Sequence, residues 1–123
     1  MGSVRQFQVT FDCAEPERVA RFWCEVLGYV PAPGGSACVD PEGVGPRLYF
    51  QRVPEDKVVK NRVHLCVRAG TGLVGAERLA ALEAECARLV ALGATHFRTL
   101  LADGENESCI VMQDVEGNEF CLD

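Results

Sequence analysis

Arg62-Val63-His64-Leu65-Cys66-Val67-Arg68 (62–68) follows the same rule as Gln6-Phe7-Gln8-Val9-Thr10-Phe11-Asp12 (6–12): apolar and polar side chains alternate. Alternation with a period of two is the mark of a strand with one buried face. After each strand comes a helical spacing of apolar residues. In the first it is Val19, Phe22, Trp23, Val26 and Leu27, with Pro16 suited to the first helical position. In the second it is Leu79, Leu82, Cys86, Leu89 and Val90. Leu27-Gly28 and Leu92-Gly93 close the two helices, which are placed at 15–27 and 76–92.

Three short strands then follow in each half. The first set falls near 29–30, 37–40 and 47–53, with a turn at Asp40-Pro41-Glu42-Gly43; residues 54–61 read as a polar connection. The second set falls near 95–101, 107–113 and 118–122, with a turn at Asp114-Val115-Glu116-Gly117. Gln8 matches His64, Gly28 matches Gly93, and the two Asp-x-Glu-Gly turns match each other in order. The sequence therefore predicts an α+β fold of two tandem βαβββ modules, about 4–53 and 62–123, within a single domain spanning 1–123.

The bulk properties agree with one soluble domain. The chain has 123 residues, 48% hydrophobic and 24% charged, which excludes a disordered chain. No apolar run approaches the roughly 20 residues that span a bilayer, and Met1–Gln6 lacks the apolar run of a secretion signal. A cytoplasmic location and no membrane partner are the expectations. The net charge is −6; residues 1–61 carry 7 basic and 8 acidic groups, residues 62–123 carry 5 and 10. There is no basic stripe to neutralise phosphates, so nucleic acid is not an expected partner. The 7 cysteines form no C-x-x-C pair, which excludes a zinc knuckle and reads as reduced thiols in small core positions.

Alternation also sorts the strands into two faces. The helix-facing set is Phe7/Val9/Phe11, Leu48/Phe50, Val63/Leu65/Val67 and Phe120/Leu122. The opposite set is Gln8/Thr10/Asp12, Arg47/Tyr49/Gln51, His64/Cys66/Arg68 and Glu119/Cys121. Should the curved sheets turn these polar residues toward one another, they line a cup able to hold a small molecule. Two readings stand level from alternation alone: a ligand cup, or a face that is simply wet.

Phe11-Asp12-Cys13-Ala14-Glu15-Pro16 leading to Phe22-Trp23, Val26-Leu27-Gly28-Tyr29, Arg62-Val63-His64-Leu65, and Asp114-Val115-Glu116-Gly117-Asn118-Glu119-Phe120 together resemble the vicinal oxygen chelate superfamily. More narrowly, the chain is similar to glyoxalase-like domain proteins of the glyoxalase/bleomycin resistance/dioxygenase type, of the kind common in actinobacteria. The resemblance implies a metal ligand from the first and last strand of each module. The first-strand positions are Gln8 and His64. In the second module the family's glutamate falls on Cys121, with Glu119 two residues earlier; in the first module Tyr49 or Gln51 stands there. It also implies an acid where this chain has Cys66. Without carboxylates a hard divalent ion loses its best partners. The expectation is no cofactor and an incomplete metal site, with a divalent metal held open.

His64 is the candidate general base, placed near Glu119, with a satisfied structural histidine as the alternative. Gln8, Tyr49, Gln51, Arg47, Arg68, Glu119 and Cys121 are the candidate ligand-binding residues. Arg47 and Arg68 could clamp an anion or pair with Asp12 or Glu119. Cys66 and Cys121 read as small filler ahead of nucleophiles, His96 as a surface residue, and Trp23 as core. Two functions follow: a small-molecule binding protein, or a lyase or isomerase acting on a small carbonyl compound, metal-assisted or using His64. Homodimerisation is expected from the resemblance and from the need to cover sheet edges.

Overall fold

In the computed structural model, which describes residues 3–123, the alternating segment of the first half becomes β1 (Gln8–Cys13). Met1 and Gly2, part of the segment read above for a secretion signal, lie outside the described residues. The order continues α1 (Pro16–Leu27), β2 (Val30–Pro31), β3 (Ala37–Val39), β4 (Arg47–Arg52), β5 (Leu65–Val67), α2 (Gly75–Ala91), β6 (Thr95–Leu100), β7 (Cys109–Gln113) and β8 (Glu119–Leu122). The chain divides into two compact units, one reaching to Asp56 and the other Lys57–Asp123.

Each unit is one mixed sheet with a helix packed on it, and the strand orders correspond: β1-β4-β3-β2 and β5-β8-β7-β6. The first strand of each unit pairs parallel with the last, β1 with β4 and β5 with β8, and the remaining pairs are antiparallel. The repeat inferred from Gln8/His64 and the two Asp turns is thus a repeat of topology.

In the first unit, α1 begins at Pro16, whose missing N–H costs nothing at a first turn. It ends at Gly28, whose φ of 69° is left-handed and suits a residue without a Cβ. Val19, Phe22, Trp23 and Val26 form its buried face. Trp23 is fully buried, 5.1 Å centroid to centroid from Phe11 and edge-on to Phe22 at 5.9 Å; Phe11 in turn lies 5.2 Å from Phe50. In the second unit, Leu82, Cys86 and Leu89 bury one stripe of α2, and Ile110, Met112, Phe120 and Leu122 fill the sheet side.

Three expected core positions are corrected. Phe7 precedes β1 and is 68% exposed, and Val63 precedes β5 and is 81% exposed. Both lie outside the paired ladder, so alternation carried one step past a strand end overstates burial. Val90 is exposed because it sits about 100° round the helix from Leu89, off the buried stripe.

The two Asp turns have a shared cause. The Asp114 carboxylate accepts the N–H groups of Glu116 (2.8 Å) and Asn118 (2.9 Å). The Asp40 carboxylate accepts those of Glu42 (2.8 Å), Val44 (3.1 Å) and Gly45 (2.7 Å), and these bonds hold its carboxyl below the ordinary range. A short acceptor side chain folding back on its own backbone is why Asp opens both turns. Among the described residues no helix is long and apolar enough to cross a membrane.

Candidate functional site

On the first unit's sheet the β1–β4 register places Gln8 beside Arg47, Thr10 beside Tyr49, and Asp12 beside Gln51. These side chains alternate with the buried Leu48 and Phe50, so they belong to the face α1 does not cover. The Arg47 guanidinium donates to Gln8 Oε1 at 2.6 Å and lies 5.6 Å from the centre of the Tyr49 ring. The Gln8 amide donates on to Thr10 Oγ1 at 3.2 Å. Arg47 therefore pairs with Gln8, correcting the alternative of Asp12. This face offers amide, hydroxyl and cation groups and the Asp12 carboxylate; among the described residues it holds no cluster of three or more His, Cys or acidic side chains.

The second unit's corresponding face is different. On β8 and just past it the face carries Glu119, Cys121 and Asp123; on β5 and the residues flanking it, His64, Cys66 and Arg68. The parallel register sets Cys66 directly against Cys121. Glu119 is buried among partners: Lys57 Nζ donates to its Oε2 at 3.0 Å and the Asn61 backbone N–H to its Oε1 at 2.8 Å, while the Asn61 amide donates to its carbonyl at 3.3 Å. Burial alone would push the Glu119 carboxyl up, but the Asn61 and Lys57 donors outweigh it and hold it below the ordinary value of 4.5. At the other end, Arg68 donates to Asp123 Oδ1 at 2.9 Å. Arg68 thus pairs with Asp123 and not with Glu119. The Glu119 carboxylate is taken up by Lys57 and Asn61 of the segment 57–61.

Between these two ion pairs lie His64, Cys66 and Cys121, with one ligand atom from each all within 4.8 Å of one another. His64 and Cys66 are exposed and Cys121 is half-buried. Burial, with Cys66 and Cys109 nearby, pushes the Cys121 thiol up to about 11. Cys66 is the residue that sequence reasoning undervalued. The sequence reads it as small filler on the polar face; Cys38, by contrast, is fully buried, its thiol pushed up to about 12 chiefly by that burial. The sequence places His64, Cys66 and Cys121 on one face; the structure adds the register that sets Cys66 directly against Cys121. His96 bonds Thr99 Oγ1 at 2.8 Å on exposed β6, apart from this group.

Paired βαβββ units with a polar face on each sheet define a class, and the comparisons place the chain within it. The family model described as Glyoxalase-like domain matches residues 8–122. The chain belongs to the glyoxalase-like domain family. Among solved structures, it is similar to a glyoxalase/bleomycin resistance protein/dioxygenase family enzyme from Burkholderia phytofirmans PsJN, with a TM-score of 0.69 at 16% identity over 94% of each chain. A glyoxalase-related enzyme from Fulvimarina pelagi gives 0.67 at 19% identity, covering 96% of this chain and 86% of that one. A fosfomycin resistance protein, FosX, from Listeria monocytogenes, solved with Mn(II) and 1S,2S-dihydroxypropylphosphonic acid, gives 0.67 at 13% identity, covering 99% and 90%. At these identities the likeness is one of fold. No curated protein matches the chain.

A hard ion such as Mn(II) is a poor fit to the second unit's face. Hard cations take oxygen ligands, carboxylates above all. Here the Glu119 and Asp123 carboxylates are engaged by Lys57 and Arg68, and the remaining donors are two sulfurs and an imidazole.

Proposed function

We propose that this chain is a glyoxalase-like protein that binds a small molecule through the polar, helix-free faces of its sheets, without a hard divalent-metal centre. One observation carries the reading: the buried Glu119 carboxylate is spent on Lys57 and Asn61, and a thiol, Cys121, stands where the resemblance puts a glutamate. Gln8, Tyr49, Gln51 and Arg47 on one unit, with His64, Arg68, Glu119 and Cys121 on the other, are the groups proposed to serve binding. Glu119 would do so by holding residues 57–61 in place. A homodimer is the assembly proposed with it, and sedimentation as a monomer at micromolar concentration would refute that part.

The alternative, a lyase or isomerase acting on a small carbonyl compound, draws on the exposure of His64, whose imidazole is open to a bound ligand. Thermal shift against fosfomycin and a panel of small carbonyl compounds, with and without Mn(II), tests both. Binding stabilises the folded chain by about 2.7 kcal/mol when the ligand stands at 100 times its Kd. The expected result is a shift that is the same with and without Mn(II). Turnover of a carbonyl compound that requires Mn(II) would overturn the proposal in favour of the alternative.

A further inference from the structure

We propose that His64, Cys66 and Cys121 form a site for a thiophilic d10 cation of the Zn(II)/Cd(II) class, contained within the second unit and leaving one coordination position open to solvent. The ligand set follows from strand geometry. His64 and Cys66 are two residues apart in extended chain, so both side chains leave the same face. Cys121 is the register partner of Cys66 on the neighbouring strand, which brings its sulfur to the same spot.

One ligand atom from each residue already lies within 4.8 Å of the other two. Around a tetrahedral Zn(II), with Zn–S of about 2.3 Å and Zn–N of about 2.0 Å, such atoms stand about 3.5–3.8 Å apart. Closing the gap takes about 1 Å, within reach of rotamer changes at the exposed His64 and Cys66.

The surroundings select the kind of ion. Two thiolates and an imidazole suit borderline-soft cations, and three protein ligands with an open fourth position are the pattern of catalytic zinc centres. The carboxylates that would draw a hard ion are bridged to Lys57 at one end of the face and Arg68 at the other. This set departs from the four-strand arrangement implied by the resemblance, because no residue of the first unit takes part.

The test is titration of the full-length, fully reduced protein with Cd(II), read as the ultraviolet thiolate-to-metal charge-transfer band. The expected result is saturation at one equivalent per chain, with affinity falling roughly 10–100-fold or more in Cys66→Ser and in Cys121→Ser. His64→Ala is expected to weaken binding while keeping the band. Cys109→Ser and Cys38→Ser, changes at thiols outside the triplet, are expected to leave it intact. Since Cys66 is exposed, Cys66→Ser keeps its fold, checked by circular dichroism. No band at one equivalent, or a band unchanged in Cys66→Ser, overturns the proposal. A parallel Mn(II) titration by electron paramagnetic resonance is expected to show the free-ion signal only. Tight Mn(II) binding would instead overturn the small-molecule reading above, so the two failures are distinguishable.

Discussion

The two units share a strand order and differ in what each sheet presents on the side its helix leaves bare. The first unit shows Gln8, Thr10, Asp12, Arg47, Tyr49 and Gln51, a set of amides, hydroxyls, one carboxylate and one cation, with Gln8, Thr10 and Arg47 bonded laterally. The second shows a thiol–thiol–imidazole group between two ion pairs. Their interiors differ as well: the first packs Phe11, Phe22, Trp23 and Phe50 together, whereas the second relies on Leu82, Leu89, Ile110, Met112, Phe120 and Leu122. The difference teaches a division of labour. The helix-facing positions specify the fold with interchangeable apolar chemistry, and the opposite positions, the buried Glu119 apart, are free to diverge at little cost to it.

That division can be broken first at the core. Trp23→Ala, at a fully buried ring, should cost about 3–5 kcal/mol in urea unfolding. A loss well below this would mean that the aromatic cluster is not what holds the first unit. Next come the two Asp turns. Asp114 is buried and accepts from the backbone N–H groups of Glu116 and Asn118 and from the Asn118 side-chain amide, so Asp114→Ala should cost about 1.5–3 kcal/mol, with Asp40→Ala, at a more open turn, costing less. The reverse order would show that the turns do not play matching parts.

Glu119→Gln should cost about 1–2 kcal/mol at neutral pH, because the Lys57 ammonium and Asn61 N–H lose a charged acceptor. Its folded-state pKa lies below the ordinary 4.5, so this contribution is present above pH 4.5 and is lost as pH falls through the lower, folded value. Acid unfolding of the variant compared with the wild type reads the difference directly; parallel curves would mean that the Lys57 and Asn61 contacts to Glu119 contribute nothing to stability. The smallest effects are expected on the bare faces: Gln8→Ala and His64→Ala should each leave stability within about 0.5 kcal/mol. If either unfolds like Trp23→Ala, the residue belongs to a core and the division fails.

Much of this was legible in the residues. The alternation at 8–12 and 65–67, the apolar stripe of Val19, Phe22, Trp23 and Val26, and the paired Asp turns are local patterns, and local patterns set strands, helices and turns. What escaped was long-range. Residues 54–61 read as a polar connection, yet Lys57 and Asn61 reach across the sequence to clamp Glu119. Arg47 and Arg68 found Gln8 and Asp123, partners fixed by register and not by proximity in the chain. Phe7 and Val63 show the limit of periodicity, which does not reveal where a ladder stops. Alternation put Cys66 on the polar face as small filler, and only the parallel pairing shows its thiol set against that of Cys121.

From that parallel pairing an order of assembly is expected. β5 is a three-residue edge strand whose one neighbour, β8, comes from the far end of the unit. The antiparallel run β6–β7–β8 closes through shorter loops, whereas Leu65 must wait for Phe120. The same strand is expected to be the first to detach in the native protein, by opening that leaves β6–β8 closed. Because β5 carries Cys66 and its approach carries His64, each such opening would take the cluster apart and each closure rebuild it. Amide hydrogen exchange at Leu65–Val67 would then be faster than in β7, and would slow when Cd(II) ties the strand to Cys121.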